Sequence, residues 1–501
     1  MRGLPGEGGC SGSPVAGCVW QKKRRMDVSV RPKFTVGRFG GRHSRIVLHP
    51  ETAEELEMDR LARTHVIFGT ARHHAFMEFD SSLSRREVQL SSNLLEALRI
   101  PLFPRYEVVR DGRGVAIGPC VGLLLYRRHQ DITRQVLEGT TRYITRREGR
   151  VTKRTHLGLR VYTYCYDAIG GAIFLFALDR VDRETRTLEG YCYDPDADRW
   201  RAGRYHYPRA MYRRIGLTPE WKNHFLTVMG DTVFNDYFMD KWEMFEWLRD
   251  DPDVSDLLPE TRLYEGVADL VTMVARHGGA FLKPVAGMGG GRAIRVRERG
   301  KVLSISFSRD GEPVEHTFLP QDPALAGALD QFMSQRAFLV QQPLQLVTWE
   351  ARVVDFRVLM QKDDAARWFC QGIVVRAGPR RSVVSNISSG GEAFTLQELF
   401  GDRLGWELKE VFQLSERLKA TAVRVGHALD RLGLNYGTAG VDLGLDSSGR
   451  LWLIELNVRD PDATIALDVE DTSLYFSVKQ TLLLYAKALA GFGVPSTPAR
   501  W

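Results

Sequence analysis

The sequence has few cysteines, no long apolar run and no recognisable leader. Its best candidate for a membrane span, AIGGAIFLFAL, falls short of the roughly 18 apolar residues that a spanning helix needs, and we predict a buried strand there instead. The six cysteines show neither metal-binding nor disulfide-framework spacing, which favours reduced thiols in a cytoplasm. Residues 1–25 lack the continuous apolar segment of a secretory signal, so we expect a disordered tail, with Met26 as a candidate start.

The sequence also lacks a recognition-helix motif or an aromatic RNA-binding motif, although part of it is basic. Residues 1–230 carry 39 Lys and Arg against 25 Asp and Glu, a balance of +14, whereas residues 231–501 carry 30 against 37, a balance of −7. The basic residues are dispersed among acids and aromatics. We therefore expect no nucleic acid partner, and we attribute the asymmetry to attraction between the two parts or to an acidic substrate.

What is present is the length and composition of a globular protein with several domains. The chain has 501 residues, of which 44% are hydrophobic and 26% charged. Strand-like runs dominate up to about residue 230, and helical patterns then mix with strands, which indicates α+β layers. The predicted units are the tail over 1–25, a β-rich region over 26–150, a small α/β unit over 151–230, and two α+β units over 231–338 and 339–495.

Three helices are predicted in the second half, and a fourth near the start. NDYFMDKWEMFEWLRDD has helical spacing with Asp236 near its beginning, and a long helix with Leu408 on its apolar stripe runs from Trp406 to about Leu432. SLYFSVKQTLLLYAKALAG closes the chain as the third. SSNLLEALRIP is the early helix, with Ser92 as its expected cap.

The segment GVDLGLDSSGRLWLIELNVRDP has acids and an amide in an otherwise apolar hairpin. Alternation with period two, around a turn at SSG, puts Asp442 opposite Glu455 with Asn457 on the same face, and puts Trp452 and Ile454 on the core face. Facing carboxylates near a core repel and lose hydration unless a cation lies between them. The all-oxygen ligand set suits Mg²⁺. A solvated outer face on an ordinary hairpin is the alternative.

The segment AFLKPVAGMGGGRAIRV is predicted to be a strand, a glycine-rich loop and a second strand. Its glycines, Gly287, Gly289, Gly290 and Gly291, allow the backbone to approach a phosphate and to direct N–H groups at it. A P-loop or a dinucleotide fingerprint would continue into a helix. We therefore expect a hairpin lid over a triphosphate, with Lys283 as a cationic partner; an ordinary glycine hairpin is the alternative.

Three further stretches carry polar groups in apolar surroundings. In VVDFRVLM, Asp355 and Arg357 share one face of a strand. Burial of Arg357 is costly unless it is paired, so it either forms an ion pair with Asp355 or meets a phosphate. FLVQQPLQL ends at Gln341 and Gln342, where a strand end can present backbone groups to an adenine edge. VVSNISSGGEAF places Asn386 in a polar turn.

In this order the pieces resemble the ATP-grasp superfamily. More narrowly, FNDYFMDKWEMFEWL, LLPETRLYEG, VSNISSGGEAF and LWLIELNVR are similar to the YheC/YheD family, which is described as associated with the endospore coat. The resemblance covers nearly everything after about residue 35. It implies an α+β ATP-grasp fold, in which two α+β subdomains clasp ATP, preceded by a β-rich N-terminal region and a small pre-ATP-grasp domain.

The resemblance also implies ATP and Mg²⁺ as cofactors and a role for each motif residue. The implied roles are the metal ion for Asp442, Glu455 and Asn457, the ATP phosphates for Lys241 and Lys283, the lid for Gly287, Gly289, Gly290 and Gly291, the hinge beside adenine for Gln341 and Gln342, a phosphate or acyl-phosphate for Arg357, and the reacting groups for Arg376 and Asn386. Two features depart from the family: the hinge QQP is uncharged, and Asp460 stands in VRDPD where a small or glycine-containing turn is usual.

The activity implied by the resemblance is carboxylate-amine ligation through an acyl-phosphate. Small-molecule or peptide carboxylates and amines are then the expected substrates, spore coat components are further candidate partners, and the expected location is the cytoplasm or the spore coat. Two alternatives stay open. One is a nucleotide-binding structural protein of the coat or cell surface layer that does not turn over, and the other is phosphoryl transfer to a hydroxyl.

Overall fold

The computed structural model describes residues 31–41, 43–58, 62–112, 114–147, 150–287, 293–309, 312–334, 336–379 and 391–493. The predicted tail over 1–25, three of the lid glycines (Gly289, Gly290 and Gly291) and Asn386 lie outside these residues. Within them, four large sheets follow one another along the chain. No helix in these ranges combines the length and the apolar character needed to cross a membrane.

The first sheet has seven strands, and two helices lie between them in sequence. The strands are β1 (Thr35–Phe39), β2 (Arg45–Leu48), β3 (Arg63–Phe68), β4 (Ala71–Phe79), β5 (Glu87–Ser91), β6 (Glu107–Asp111) and β7 (Gly114–Gly118), and the helices are α1 (Pro50–Glu55) and α2 (Ser92–Leu98). The spatial order is β1-β5-β2-β4-β3-β7-β6. Helix α2 has Ser91 as its N-cap, so the predicted cap, Ser92, is wrong by one position.

The second sheet contains the predicted buried strand. Its strands are β8 (Cys120–Tyr126), β11 (Ala172–Asp182), β12 (Thr187–Asp194), β13 (Arg199–His206), β14 (Ala210–Arg213) and β15 (Val233–Phe234). The accompanying helices are α3 (His129–Glu138), α4 (Tyr166–Ile169) and α5 (Pro219–Met229). Between β8 and β11 in sequence, β9 (Thr141–Arg147) pairs with β10 (Arg150–His156) as a separate hairpin. β8 pairs in parallel with β11 and β14, so it joins this sheet although it precedes residue 151. The predicted domain boundaries remain predictions.

The third sheet is antiparallel and carries the glycine-rich loop. Its strands are β16 (Thr261–Leu263), β17 (Gly279–Pro284), β18 (Ile294–Arg299), β19 (Val302–Arg309), β20 (Glu312–Phe318) and β21 (Phe338–Gln341). Helix α6 (Lys241–Leu248) precedes this sheet and packs into the core of the fourth sheet, whereas α7 (Val267–His277) and α8 (Pro323–Met333) pack against the third sheet. The spatial order is β16-β21-β17-β18-β19-β20. β17 pairs antiparallel with β18, which confirms the predicted strand and the predicted returning strand.

The fourth sheet carries the acidic hairpin. Its strands are β22 (Thr348–Trp349), β23 (Arg352–Lys362), β24 (Trp368–Ala377), β25 (Glu392–Phe394), β26 (Thr438–Leu445) and β27 (Leu451–Asn457), and its helices are α9 (Leu408–Arg431), α10 (Ile465–Asp468) and α11 (Thr472–Lys487). The order is β25-β24-β23-β26-β27. α9 packs with Phe356 and Val358 of β23 in one core, whereas α11 packs with Leu359 and Val374 in another, so helices cover both faces.

Two predicted helices differ in detail from the structure. α6 begins at Lys241, not near Asp236, because the Asp240 side chain accepts hydrogen bonds from the backbone N–H groups of Trp242 and Glu243 and so caps the helix there. α9 begins two residues after Trp406, and Leu408 is 73% exposed, so its predicted place on the apolar stripe is wrong.

A β-bulge in β27 sets the register of the acidic hairpin. Asp442 pairs with Glu455, as predicted, but the next pair is Leu443 with Leu453. Ile454 is therefore the extra residue of the bulge. The bulge leaves the predicted carboxylate pair in place while shifting the register toward the turn by one residue.

The shifted register changes which side chains of β27 face the core. Leu451 and Leu453 belong to the core beneath α9, so the predicted place of Trp452 and Ile454 on that face is wrong, although Trp452 is itself buried. Because side chains alternate along a strand, the bulge reverses the two faces between Ile454 and the turn. Trp452 instead donates its Nε1 hydrogen to Asp446 at 2.8 Å, at the hairpin turn.

Helix α11 joins the fourth sheet to the first and second sheets. Its apolar side chains share a core with Val121 and Leu123 of β8. At its end, Lys487 forms a buried ion pair with Glu107 of β6. The acidic hairpin is thus held in a fixed position relative to the second sheet, which forms one wall of the cavity described below.

Candidate functional site

The end of the acidic hairpin brings three predicted metal ligands together. Asp442 and Glu455 are direct cross-strand partners, and Gly440 pairs with Asn457 two residues further along. Asn457 donates Nδ2–H to Oδ2 of Asp442 at 3.2 Å. Asp442 is only 3% exposed, whereas Glu455 and Asn457 are half-buried and line an open cavity. Oxygen ligands therefore meet at a boundary between core and solvent.

Behind the hairpin, two arginines and two aspartates form a buried network. Arg357 donates from Nε and Nη2 to the two oxygens of Asp442. Arg376 donates to both oxygens of Asp355 at 2.6 Å and also lies 3.0 Å from Oδ2 of Asp442. All four side chains belong to residues that are at most 9% exposed. The network therefore holds the Asp442 carboxylate rigidly.

Of the two alternatives for Arg357, the ion pair with Asp355 is wrong. These residues share one face of β23, but each pairs across the sheet: Asp355 is opposite Arg376 of β24, and Arg357 is opposite Asp442 of β26. Directly opposed residues have Cβ atoms about 5 Å apart, closer than residues two apart on one strand. The neighbouring strands therefore supply each partner.

The pKa values of this network follow its charge pairing. Burial by itself would raise the pKa of Asp442, but the guanidinium groups of Arg357 and Arg376 hold it below its ordinary value. Burial opposes the charge on Arg376, and the carboxylates of Asp355 and Asp442 nevertheless raise its pKa. Asp442 thus stays an anion and Arg376 a cation at neutral pH.

Lys241 connects the acidic hairpin to the glycine-rich loop. As the first residue of α6, it places Nζ 3.1 Å from Oε1 of Glu455 and donates a hydrogen bond to the carbonyl oxygen of Gly287 at 2.8 Å. Lys241, Gly287, Glu455 and Asn457 all line one cavity of about 710 Å³. Its volume lies in the range of small-molecule sites.

Lys283 is a second cation near this cavity. It lies on β17, and its Nζ donates to Oε1 of Gln341 at 2.7 Å. Burial lowers the pKa of Lys283 to about 8; Glu455 opposes this shift and Lys241 adds to it. The lysine is therefore mainly charged at pH 7, and it loses its proton in a range that is readily accessible to experiment.

The predicted hinge residues are anchored to β16 and its preceding residue. Gln341 is 6% exposed, and its Nε2 donates to Thr261 at 2.9 Å while its Oε1 accepts from Lys283. Gln342 exchanges hydrogen bonds with the backbone of Glu260, donating its own N–H and accepting through Oε1. The Gln341 side chain thus positions Lys283.

The ligand set of the hairpin fits a magnesium ion chemically. Among the residues that the structure describes, no group of three or more His, Cys, Asp or Glu side chains is arranged to hold a metal ion. The predicted site instead combines the carboxylates of Asp442 and Glu455 with the amide of Asn457. Carboxylate and amide oxygens are hard ligands of the kind that Mg²⁺ prefers. The two oxygens of Asp442 are shared with arginines, so Glu455 and Asn457 are the more accessible candidate ligands.

Asn235 is a positioning residue that sequence reasoning missed. It is fully buried, with a φ of 53°. Its Nδ2 donates to the carbonyl oxygens of Thr438 and Val458, at either side of the hairpin's open end, and its Oδ1 accepts from the N–H groups of Gly437 and Thr438. The signal in the sequence was an Asn directly after an apolar pair, since Asn tolerates positive φ better than most residues.

Asn235→Asp is expected to loosen the hairpin that carries the acidic pair. The variant tolerates the backbone conformation, but it replaces two amide donors with an oxygen that faces carbonyl groups, at a cost of about 2–3 kcal/mol. Native-state hydrogen exchange of β26 and β27 amides measures this loss. The exposed Asn223→Asp on α5 is the matched control. Equal protection in both variants would contradict the positioning role.

A comparison with protein-family models shows which family the chain belongs to. A sequence model of YheC/D-like ATP-grasp proteins matches residues 230–489, just over half of the chain and all of the candidate site. This chain belongs to the YheC/D-like ATP-grasp family. The predicted ATP-grasp fold and the predicted family are thereby confirmed.

Individual relatives of this family member come from Bacillus subtilis (strain 168). The chain is 23% identical over 446 residues to the endospore coat-associated protein YheD, covering 87% of this chain and 93% of YheD. It is 24% identical over 221 residues to the endospore coat-associated protein YheC, covering 44% of this chain and 59% of YheC. The ATP-grasp ligase PsnB, solved with a precursor peptide and AMPPNP, is 13% identical with a TM-score of 0.40, covering 74% of this chain and 99% of PsnB.

Proposed function

We propose that this protein binds ATP with Mg²⁺ and joins a carboxylate to an amine through an acyl-phosphate. The observation that carries the proposal is the convergence of Lys241, Glu455, Asn457 and the Gly287 backbone on one cavity, in a chain of the ATP-grasp family. Triphosphate binding requires cations, oxygen ligands for the metal ion, and a backbone that can direct its N–H groups at the phosphates.

The two lysines are proposed to bind the ATP phosphates. Lys241 is held between Glu455 and the Gly287 carbonyl, so its ammonium group lies between the proposed metal ligands and the first glycine of the glycine-rich loop. Lys283 is fixed by Gln341 on the neighbouring strand, β21. Preorganised cations stabilise the charge that develops on a transferring phosphoryl group without reorganising during the reaction.

The acidic hairpin is proposed to hold the metal ion. Bound there, Mg²⁺ would neutralise charge on the phosphate oxygens. Asp442, Glu455 and Asn457 would be its ligands, and Arg357 is proposed to contact a phosphate or acyl-phosphate beside them. Arg376 is 4% exposed and pairs with Asp355 and Asp442, so we assign it the positioning of Asp442. Asn386 is proposed to face the reacting groups.

The proposed reaction has two steps. A substrate carboxylate oxygen attacks the γ-phosphorus of ATP, forming a carbon–oxygen–phosphorus linkage and releasing ADP. A substrate amine then attacks the carbonyl carbon, loses a proton and expels phosphate, which leaves an amide. The part of the protein is to align these groups and to neutralise charge.

Glu455→Gln is expected to remove the Mg²⁺-dependent part of ATP binding. The substitution keeps the size of the side chain but removes a charged oxygen ligand and the partner of Lys241. Calorimetric titration of ATP with and without Mg²⁺ measures the effect. Glu416→Gln, on the solvent side of α9 and paired with Lys419, is the matched control. An affinity for Mg²⁺-ATP equal to that of the unaltered protein would rule out the metal assignment.

The relatives' names suggest where the activity is used. YheD and YheC are named as endospore coat-associated proteins, and we propose the same association here, with coat components as candidate partners. ADP release, assayed across pooled amino acids and coat peptides, separates a ligase from a nucleotide-binding protein without turnover. An amide product supports ligation, whereas a phosphate ester would indicate a phosphotransferase.

A further inference from the structure

The second sheet supplies part of the wall of the cavity. Arg214 follows β14, and Tyr126 ends β8, at the edge of this sheet that faces the acidic hairpin. Arg459 and Asp460, just beyond the end of β27, line the same cavity. The cavity lining thus includes two arginines in addition to Lys241, Glu455 and Asn457.

Arg214 is held in one orientation by Asp460. Its Nε donates to Oδ2 of Asp460 at 2.5 Å, and the hydroxyl of Tyr212 donates to Oδ1 of the same carboxylate at 3.2 Å. The backbone N–H of Arg214 is bound to the carbonyl oxygen of Leu124. Asp460 contacts only Nε. Within the part of the chain that the structure describes, the two terminal nitrogens of Arg214 make no hydrogen bond or ion pair.

Arg459 is the second cation on this wall. Its guanidinium carbon lies 5.5 Å from the centre of the Phe238 ring, which Arg213 also contacts at 4.0 Å. Arg459 is exposed, and among the described residues no carboxylate lies within ion-pair distance of it. The aromatic ring orients the guanidinium group without neutralising its charge.

We propose that Arg214 and Arg459 form a subsite for a carboxylate group of the non-nucleotide substrate. The proposal rests on the proposed function, because it names the class of substrate that the ligase takes. A guanidinium group whose outer edge is unoccupied matches a carboxylate bidentately. Ile215 and Met239 line the cavity beside it, so the carboxylate belongs to a molecule with an apolar or peptide stem.

This subsite also explains a departure from the family pattern. A small or glycine-containing turn after Asn457 could not hold the side chain of Arg214. Asp460 occupies this turn and contacts Tyr212 of β14 and Arg214, which directly follows that strand. Asp460 is therefore a positioning residue, and it links the identity of this turn to the substrate of this chain.

The test measures binding of defined probes to the full-length protein by calorimetry. The probes are glutarate, the peptide acetyl-Glu-Glu-amide and its neutral counterpart acetyl-Gln-Gln-amide. We expect an anionic probe to bind and the neutral peptide not to bind. Binding of glutarate identifies a free organic acid as the substrate class, whereas binding of the acidic peptide alone identifies a peptide.

Two variants locate the probe. Arg214→Gln and Arg459→Gln are each expected to weaken binding of the anionic probe by roughly tenfold or more, while the affinity for Mg²⁺-ATP stays unchanged. The control, Arg180→Gln, removes an exposed arginine that pairs with Glu189 on the second sheet, and it is expected to change neither affinity. Arg459 is exposed, so its substitution tests the subsite even where Arg214→Gln lowers the melting temperature.

Two results would overturn the subsite. One is that the unaltered protein binds Mg²⁺-ATP but neither anionic probe at millimolar concentration. The other is that both arginine variants bind the probe as tightly as the unaltered protein. Failure to bind Mg²⁺-ATP at all would instead refute the proposed function, so the two failures are distinguishable.

Discussion

Asp442→Asn is expected to lower the local free energy of unfolding of the C-terminal sheet by about 3–5 kcal/mol and to prevent Mg²⁺-dependent ATP binding. The carboxylate is the shared partner of Arg357 and Arg376, both of which are buried. Removal of its charge leaves Arg357 without a carboxylate partner in a low-dielectric environment. Such an uncompensated buried charge costs more than the pair contributes in the native protein.

Native-state hydrogen exchange of the amides in β23 and β26 measures this loss. Asp462→Asn is the matched control, because Asp462 lines the same cavity but is exposed. The comparison with Glu455→Gln is equally informative. Glu455 is half-buried, so its variant is expected to lose the metal-dependent binding while the sheet keeps its protection. Unchanged exchange in the Asp442 variant would show that the arginines find other partners.

Lys283→Met is expected to weaken ATP binding at pH 7 by about 2–5 kcal/mol, or roughly 30-fold to several thousand-fold, because a half-buried cation then no longer meets the phosphates. In the unaltered protein, affinity is also expected to fall as the pH rises from 7 to 9. The pKa of Lys283 is lowered to about 8 by burial, so the cation is present below this value and is lost above it.

The pH dependence distinguishes this role from a structural one. If Lys283 binds phosphate, the dissociation constant rises by up to tenfold per pH unit above the pKa of the free protein, and this rise disappears in the Met variant. Calorimetric titration at several pH values gives the profile. Lys301→Met, at an exposed position of the same sheet, is the control. A pH profile that is the same in the unaltered protein and the Lys283 variant would contradict the assignment.

Local sequence pattern was sufficient for the hairpins and for one decisive register. The turn at SSG and the alternation on both strands predicted that Asp442 faces Glu455, and the structure confirms the pair. The same alternation failed nearer the turn, since Ile454 forms a bulge that a repeat of two does not reveal. The returning strand after the glycine-rich loop was predicted for the same local reason, because a strand and its neighbour adjoin in sequence.

The long-range partners required the tertiary structure. Arg357 pairs with Asp442, 85 residues later, because β26 lies beside β23, and no local pattern states which strands are neighbours. Asn235 binds the carbonyl oxygen of Val458, 223 residues later. Resemblance to the family named the residues of the hairpin and the lysines, but it could not show that Arg376 is buried beneath them.

The sequence by itself determined that polar oxygens, lysines and glycines occur on strands and loops suited to a nucleotide, because periodicity and turn chemistry act over a few residues. Only the tertiary structure decided which charges neutralise one another and which remain available to a ligand. Charge pairing depends on distances of a few ångströms between side chains that are far apart in the chain, and burial sets its strength. The pairing of Arg214 with Asp460, across the wall of the cavity, is the clearest instance.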